Sequence, residues 1–183
     1  GEHQVYNAVA AICCAHVMGI GISDACKRLL TFKNLPRHLQ LCDGINDSLI
    51  LDDTWNINNV SLEAALKTLN NIASERFTVA FIGTINALGD FDATNVISDL
   101  LVKYDIDVIV VVGNTVDSLK EQLLNKGYKG NVHSFSSIVE QEEYIYELFN
   151  WLLKTNTMLL AKCSMFDNDF HSFLERLNDP NES

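Results

Sequence analysis

The chain has 183 residues, 48% hydrophobic and 20% charged, with 24 Asp and Glu against 13 Lys and Arg for a formal net charge of −11. That composition lies far from the low-hydrophobicity, high-charge corner where chains stay disordered, and the length suits one domain with a small appendage rather than two catalytic domains. The acidity argues against nucleic acid as a partner, because affinity for a phosphate backbone comes from clustered Lys and Arg.

In chain order, Val5–Met18 and Ser23–Leu30 read as two short helices joined by Gly19-Ile20-Gly21, with no strand between them. The apolar stretch Val5–Ile20 is interrupted by Asn7 and His16 and is too short for a membrane span. No basic leader precedes it, so no signal peptide is read. Asn34-Leu35-Pro36 supplies a break, since proline disfavours helix at the residue before it, and places a boundary between 1–34 and 35–183.

Leu49-Ile50-Leu51, ended by Asp52-Asp53, has the pattern of a buried strand. A helix over Ser61–Leu69 follows, with Leu62, Ala65, Leu66 and Leu69 on one face and Ser61 as its expected cap. Phe77–Ile82 reads as a strand, Ala93–Tyr104 as a helix, Val108–Val112 as a strand and Val116–Asn125 as a helix stopped by Gly127. Asn131–Phe135 is a weaker strand, Ser137–Leu153 a helix, Met158–Ala161 a strand and Asp167–Leu177 a last helix, after which Asn178–Ser183 is expected to fray.

Strands alternating with amphipathic helices, at a spacing of roughly 25 to 30 residues, are the signature of βαβ units. The expected fold is therefore α/β: a Rossmann-like, doubly wound, mostly parallel sheet preceded by a short helical pair. The strands end in Asp52-Asp53, Gly83-Thr84, Gly113-Asn114 and Lys162-Cys163-Ser164, and open parallel sheets bind ligands at such carboxyl ends.

Several signatures are absent. There is no G-x-G-x-x-G, no phosphate loop and no serine nucleophile elbow. The five histidines lack metal-ligand spacing, and the five cysteines contain no C-x-x-C pair, which points to neither zinc nor a disulfide framework and suits a reducing cytoplasm. Cys163, beside Lys162 at a strand end, has the surroundings of an activated thiol, but a nucleophilic role is the lesser reading. His3 and Asn7 are four apart and would share a helix face, from which both could reach one planar ligand such as a purine. The alternative is that they cap and solvate the helix.

The opening Gly1-Glu2-His3-Gln4-Val5-Tyr6-Asn7-Ala8-Val9-Ala10-Ala11 resembles the G-x-H-N-x-x-N-x-x-A-A segment of the Mur ligases. Leu35-Pro36-Arg37-His38 resembles their domain-junction segment. The run Leu51-Asp52-Asp53-Thr54-Trp55-Asn56-Ile57-Asn58-Asn59-Val60-Ser61-Leu62 resembles D-D-S-Y-N-A-N-P-x-S-M, the form typical of the branch that adds D-alanyl-D-alanine to UDP-muramoyl tripeptide. Gly83-Thr84-Ile85-Asn86-Ala87-Leu88-Gly89 resembles G-D-M-x-E-L-G, and Lys162-Cys163-Ser164-Met165 resembles K-G-S-R. Order and spacing agree over nearly the whole chain.

The resemblance implies a part of an ATP-dependent, amide-bond-forming ligase of peptidoglycan precursor synthesis. Residues 1–34 would be the helical tail of the central ATP-binding domain and 35–183 the carboxyl-terminal Rossmann-like domain. The chain reads as a fragment of a longer cytoplasmic bacterial ligase, with ATP and Mg²⁺ bound mainly by domains it lacks. Its expected partners are those amino-terminal and central domains, together with UDP-muramoyl peptide and D-alanyl-D-alanine or a similar substrate. Alone it would be inactive, and no catalytic residue or metal ligand is assigned to it.

Residue by residue, the resemblance implies that Asn7 contacts adenine with support from His3, and that Asp53 accepts the ribose hydroxyls across a domain cleft. Asn56 would sit on the same loop, and Asn58, Lys162 and Ser164 would lie where the amino substrate or the phosphate is held. Either Arg37 or His38 takes the place of the nucleotide-contacting arginine, depending on a one-residue slip. Trp55 stands where the family has Tyr, as a stacking platform or as a wedge over the sheet. Gln4, Asn59, Thr84, Ala87, Cys163 and Met165 replace the family's Asn, Pro, Asp, Glu, Gly and Arg, and the last change removes a clamp for a substrate carboxylate. Two alternatives follow: a non-catalytic Mur-ligase-like binding module, or a related ligase with a different acyl or amino-acid substrate.

Overall fold

The computed structural model describes residues 2–33, 35–85, 93–113 and 116–178, with only the backbone of Glu2, His3 and Ala93. Asn34, Asn86-Ala87-Leu88-Gly89, Asn114 and residues 179–183, which carried parts of the sequence reading, lie outside the described residues. Two compact units make up the chain, Gly1–Leu35 and Pro36–Ser183.

The first unit is a helical pair, α1 (Glu2–Val17) and α2 (Ile22–Leu29). Gly19 turns the chain between them at φ 86, a left-handed conformation that glycine adopts without steric cost. Ile20 N–H donates to the Ala15 carbonyl at 2.9 Å across this turn. The side chain of Ala25 is buried in the pair.

The second unit contains β1 (Gln40–Gly44), β2 (Ser48–Asp52), α3 (Asn59–Ala73), β3 (Phe77–Ile82), α4 (Ala93–Lys103), β4 (Val108–Val112), α5 (Val116–Asn125), β5 (Asn131–Phe135), α6 (Ile138–Leu152), β6 (Thr157–Lys162) and α7 (Asn168–Leu177). Its six strands form one sheet in the order β1-β2-β6-β3-β4-β5, parallel except for β1 against β2. The fold is the α/β, doubly wound, mostly parallel arrangement expected.

Alternation within the strands divides the interior in two. Leu51, Ala80, Ile82, Ile109, Val111 and Leu160 pack with the apolar faces of α3, α4 and α5, whereas Ile50, Val79, Phe81, Val110, Leu159 and Ala161 pack with α6 and α7. Strands buried on both faces read as continuous apolar runs, which is why Val108–Val112 is all valine and isoleucine.

Helix ends follow local chemistry. Gly127, at φ 75, donates to the Leu124 carbonyl while Tyr128 N–H reaches back to Leu123, so that α5 closes in a Schellman motif. At α3 the cap is Asn58 rather than Ser61: the Asn58 side chain accepts from Ser61 N–H at 2.8 Å, and Ser61 Oγ returns a contact to Asn58 N–H at 3.1 Å. Ser61 is thus the third residue of the helix and closes a capping box, a position that short-range propensity does not separate from the cap itself. Asn58→Ala is expected to cost about 1 kcal/mol of stability, measurable as a lower urea midpoint at unchanged slope.

Strand β1 was not anticipated. Its inward positions are Gln40, Cys42 and Gly44 while Leu41 is 55% exposed, so it carries no apolar alternation to detect. It forms because β2 needs a partner on its outer edge, and the chain turns back within the short 3₁₀ turn Ile45–Asp47. No described helix is long and apolar enough to cross a membrane.

Candidate functional site at the carboxyl ends of β2, β6 and β3

The chain runs from β2 through α3 to β3 and leaves a space that β6 later fills from the opposite face. Ligands in open α/β sheets bind at such a reversal, outside the carboxyl ends of the strands. Here Asp53 N–H donates to the Ala161 carbonyl at 3.0 Å and Gly83 N–H to the Lys162 carbonyl at 2.9 Å, which locks the three ends side by side. Gly83 has no room for a side chain, because a Cβ would lie 2.5 Å from Phe170 and 2.7 Å from Cys163 Cβ.

Two site residues meet directly. Lys162, only 1% exposed, pairs through its ammonium with Asp53 Oδ2, and the Asp53 residue is 9% exposed. The second carboxylate oxygen, Oδ1, accepts from Leu39 N–H at 3.2 Å. Burial pushes the Lys162 amine below the ordinary lysine range, and the charge of Asp53 pulls it part of the way back. The Lys162 ammonium is thus turned to Asp53 at the strand ends. It is the buried partner of Asp53.

The junction segment resolves the choice between Arg37 and His38 only partly. Arg37 and Leu39, on either side of His38, both adopt left-handed backbone, at φ 64 and φ 51. The His38 ring stacks on Trp55, with centroids 5.1 Å apart and 30° between planes, and its Nδ1 lies 2.8 Å from the Pro36 carbonyl. Arg37 instead lines a separate cavity of about 250 Å³ with Gln40, Cys42, Asp52, Thr54 and His171. Trp55 thus stands on the loop that carries Asp53, 46% exposed, with the His38 ring of the junction segment stacked on it.

The remaining positions differ in freedom. Asn56 is exposed on the same loop, whereas the Asn58 side chain is engaged in capping α3. Ser164 is 7% exposed and its Oγ accepts from Phe166 N–H at 3.3 Å. With Thr84, Phe166, Asp167, Asn168 and Asp169 it lines a cavity of about 300 Å³. Asp167 builds one wall of that cavity by accepting from Thr84 N–H at 3.0 Å and from Phe170 N–H at 3.2 Å. Its structural role was legible only as the start of the last helix.

Cys163 is fully buried, with Sγ 3.4 Å from His171 Nε2 and 3.3 Å from the Ser164 carbonyl. Desolvation first, and then Asp167, push its thiol far above the ordinary range, so it has no character as a nucleophile. In the separate helical unit, Asn7 is exposed and its Nδ2 donates to Gln4 Oε1 at 3.3 Å, while the side chain of His3 lies outside the described ones. No group of three or more described His, Cys, Asp or Glu could hold a metal ion.

No family model matches the chain. It is 26% identical over 179 residues to the UDP-N-acetylmuramoylalanine--D-glutamate ligase of Prochlorococcus marinus (strain NATL2A), across 96% of this chain and 35% of that protein. The chain is related to the Mur ligases. Over 94 residues, 51% of the chain and 21% of the relative, it is 30% identical to the UDP-N-acetylmuramoyl-tripeptide--D-alanyl-D-alanine ligase of Bacillus subtilis (strain 168). Among solved structures it superposes on the MurF ligase from Thermotoga maritima in complex with ADP with a TM-score of 0.67, covering 94% of this chain and 37% of that one. That likeness, at 20% identity, is one of fold. The chain spans about a third of the length of the curated relatives that it matches from end to end, with 35% of the Prochlorococcus enzyme covered.

Proposed function

We propose that this chain is the carboxyl-terminal part of an ATP-dependent, amide-bond-forming ligase of peptidoglycan precursor synthesis, of the type that adds D-alanyl-D-alanine to a UDP-muramoyl tripeptide. The observation that carries the reading is the Asp53 carboxylate, held at the strand reversal with one partner on each oxygen. A carboxylate offers about four lone-pair sites, so two remain for the paired hydroxyls of a ribose. The free acceptors fit the hydroxyls of a nucleotide sugar.

In this reading Asp53 takes the ribose, the His38–Trp55 stack flanks the nucleotide, and the cavity at Ser164 and Asp167 receives part of the amino substrate. Residues 1–34, which carry the adenine-binding candidates Asn7 and His3, form the tail of the central ATP-binding domain, and 35–183 form the carboxyl-terminal domain. ATP supplies the phosphoryl group that activates the acyl carboxylate, and Mg²⁺ is held by domains beyond this chain. This chain's own residues bind, orient and exclude water. The working compartment is the cytoplasm, where such precursors and ATP occur together.

The branch assignment rests on the Leu51–Leu62 segment and is supported by the Bacillus subtilis relative. Full-length protein given UDP-muramoyl tripeptide, D-alanyl-D-alanine, ATP and Mg²⁺ is expected to release ADP. Turnover with UDP-muramoyl-L-alanine and D-glutamate instead would move it to another branch.

One observation favours a second reading. Met165, 38% exposed, and Phe166, 73% exposed, put an apolar rim where the resembled motif has an arginine. An apolar rim cannot clamp a carboxylate. Failure to release ADP with any of the precursor substrates, even after Met165→Arg, would support a non-catalytic binding module.

A further inference from the structure

We propose that Lys162 is a positioning residue: from within the sheet it fixes one oxygen of Asp53 while Leu39 N–H fixes the other, so that the carboxylate presents its remaining lone pairs to the vicinal hydroxyls of a ribonucleotide. The inference rests on the assignment of Asp53 to the ribose and names the group that makes Asp53 selective.

The Lys162 side chain is 1% exposed and that of Asp53 13%, so only the acid reaches the rim. An ammonium has three donors and no acceptor, and at this burial it cannot touch a ligand. Whatever it does for a ligand, it does through Asp53. Its backbone is equally fixed, because Ile82 pairs with Lys162 in register and the Lys162 carbonyl accepts Gly83 N–H at 2.9 Å. The opposite side is set by Leu39, whose φ of 51 is a conformation that a leucine seldom adopts. That backbone aims its N–H at Oδ1 over 3.2 Å. The carboxylate is thus held from two directions, by a side chain of β6 and by a backbone N–H of the segment ahead of β1, and its plane relative to the rim is set before any ligand arrives.

Such a device reads hydroxyls. A ribose offers two donors to the open side of the carboxylate, and a 2′-deoxyribose offers one. A carboxylate free to rotate would retain the better single contact and discriminate little, whereas a fixed one loses a bond it cannot replace.

The test measures binding of ADP and of 2′-deoxy-ADP by calorimetry to the full-length protein, to Asp53→Asn, to Lys162→Met and to Lys162→Gln, with folding checked by circular dichroism. The wild type is expected to prefer ADP by about tenfold or more, the scale of one hydrogen bond to a charged group. In Lys162→Met, which keeps volume but loses the donor, the preference should fall to near one, and Lys162→Gln, which keeps an N–H donor, should recover part of it. Should the methionine variant fail to fold, the glutamine variant carries the test alone. A folded Lys162 variant that retains the full preference, while Asp53→Asn loses it, would overturn the positioning role and leave the ribose assignment standing. A wild type that binds both nucleotides equally would overturn both.

Discussion

Asp53→Leu is expected to destabilise the protein by about 3–5 kcal/mol near neutral pH, the range found when one partner of a buried ion pair is removed. The cost comes from what stays behind. Lys162 is 1% exposed, and without Asp53 its ammonium stays buried with its direct partner gone and only the weaker influence of Asp52 to offset it. Adding Lys162→Met to Asp53→Leu should recover most of the loss, because the charge that caused it is then gone. Urea unfolding of the two single variants and the double variant forms the cycle that checks this.

The pH dependence has a definite sign. The Lys162 amine is already held below its ordinary value in the folded protein, so between that lowered value and about 10.4 the unfolded chain binds the extra proton and stability from this group rises with pH. Removing Asp53 takes away the influence that pulls the amine back up, which lowers its folded value further. The gap between Asp53→Leu and wild type should therefore narrow as pH rises through the alkaline range. Tyr128, pushed upward by burial and by Asp107, acts in the opposite sense through groups that the substitution leaves in place. A gap that stays constant from neutral to alkaline pH would show that Lys162 is not the stranded charge.

Phe81→Ala is expected to cost about 3–5 kcal/mol, the usual range for emptying a fully buried aromatic site. Phe81, 0% exposed on β3, stacks on Phe170 of α7 with centroids 4.0 Å apart and meets Phe149 of α6 edge-on at 4.7 Å. Phe173 lies 5.8 Å away on the same helix as Phe170. One ring thus joins the two helices of that face to the centre of the sheet. Its loss also reaches the site, since Phe170 packs where a Gly83 Cβ would be and follows Asp167 at the start of α7. Thermal unfolding should show the loss of stability, and a conservative Phe81→Leu should recover part of it.

The helices and parallel strands were readable because each carries its own evidence in neighbouring residues. Val108–Val112 and Phe77–Ile82 are strands at the bounds that the apolar runs suggested, and Val116–Asn125 ends at the glycine that its termination needs. Asp52-Asp53 was legible as a strand end on the rim because an acid pair follows a buried run, and the resemblance then singled out Asp53. What escaped was whatever depends on a distant partner. Strand β1 has an inward face of Gln40, Cys42 and Gly44, and only its pairing with β2 makes it a strand. The cap of α3 required knowing where the helix begins, which moved the role from Ser61 to Asn58.

By itself the sequence determined the alternation of elements, the doubly wound class and the rim on which polar residues gather, since periodicity and turn chemistry act over a few residues. The tertiary structure alone decided that β6 enters between β2 and β3, and with that insertion it brought Lys162 to Asp53 across 109 positions of chain. It also decided that Lys162 is buried, and that His38, not Arg37, lies on Trp55. A residue's spacing from its neighbours says which face of an element it occupies. What that face meets is set by the order in which the strands assemble.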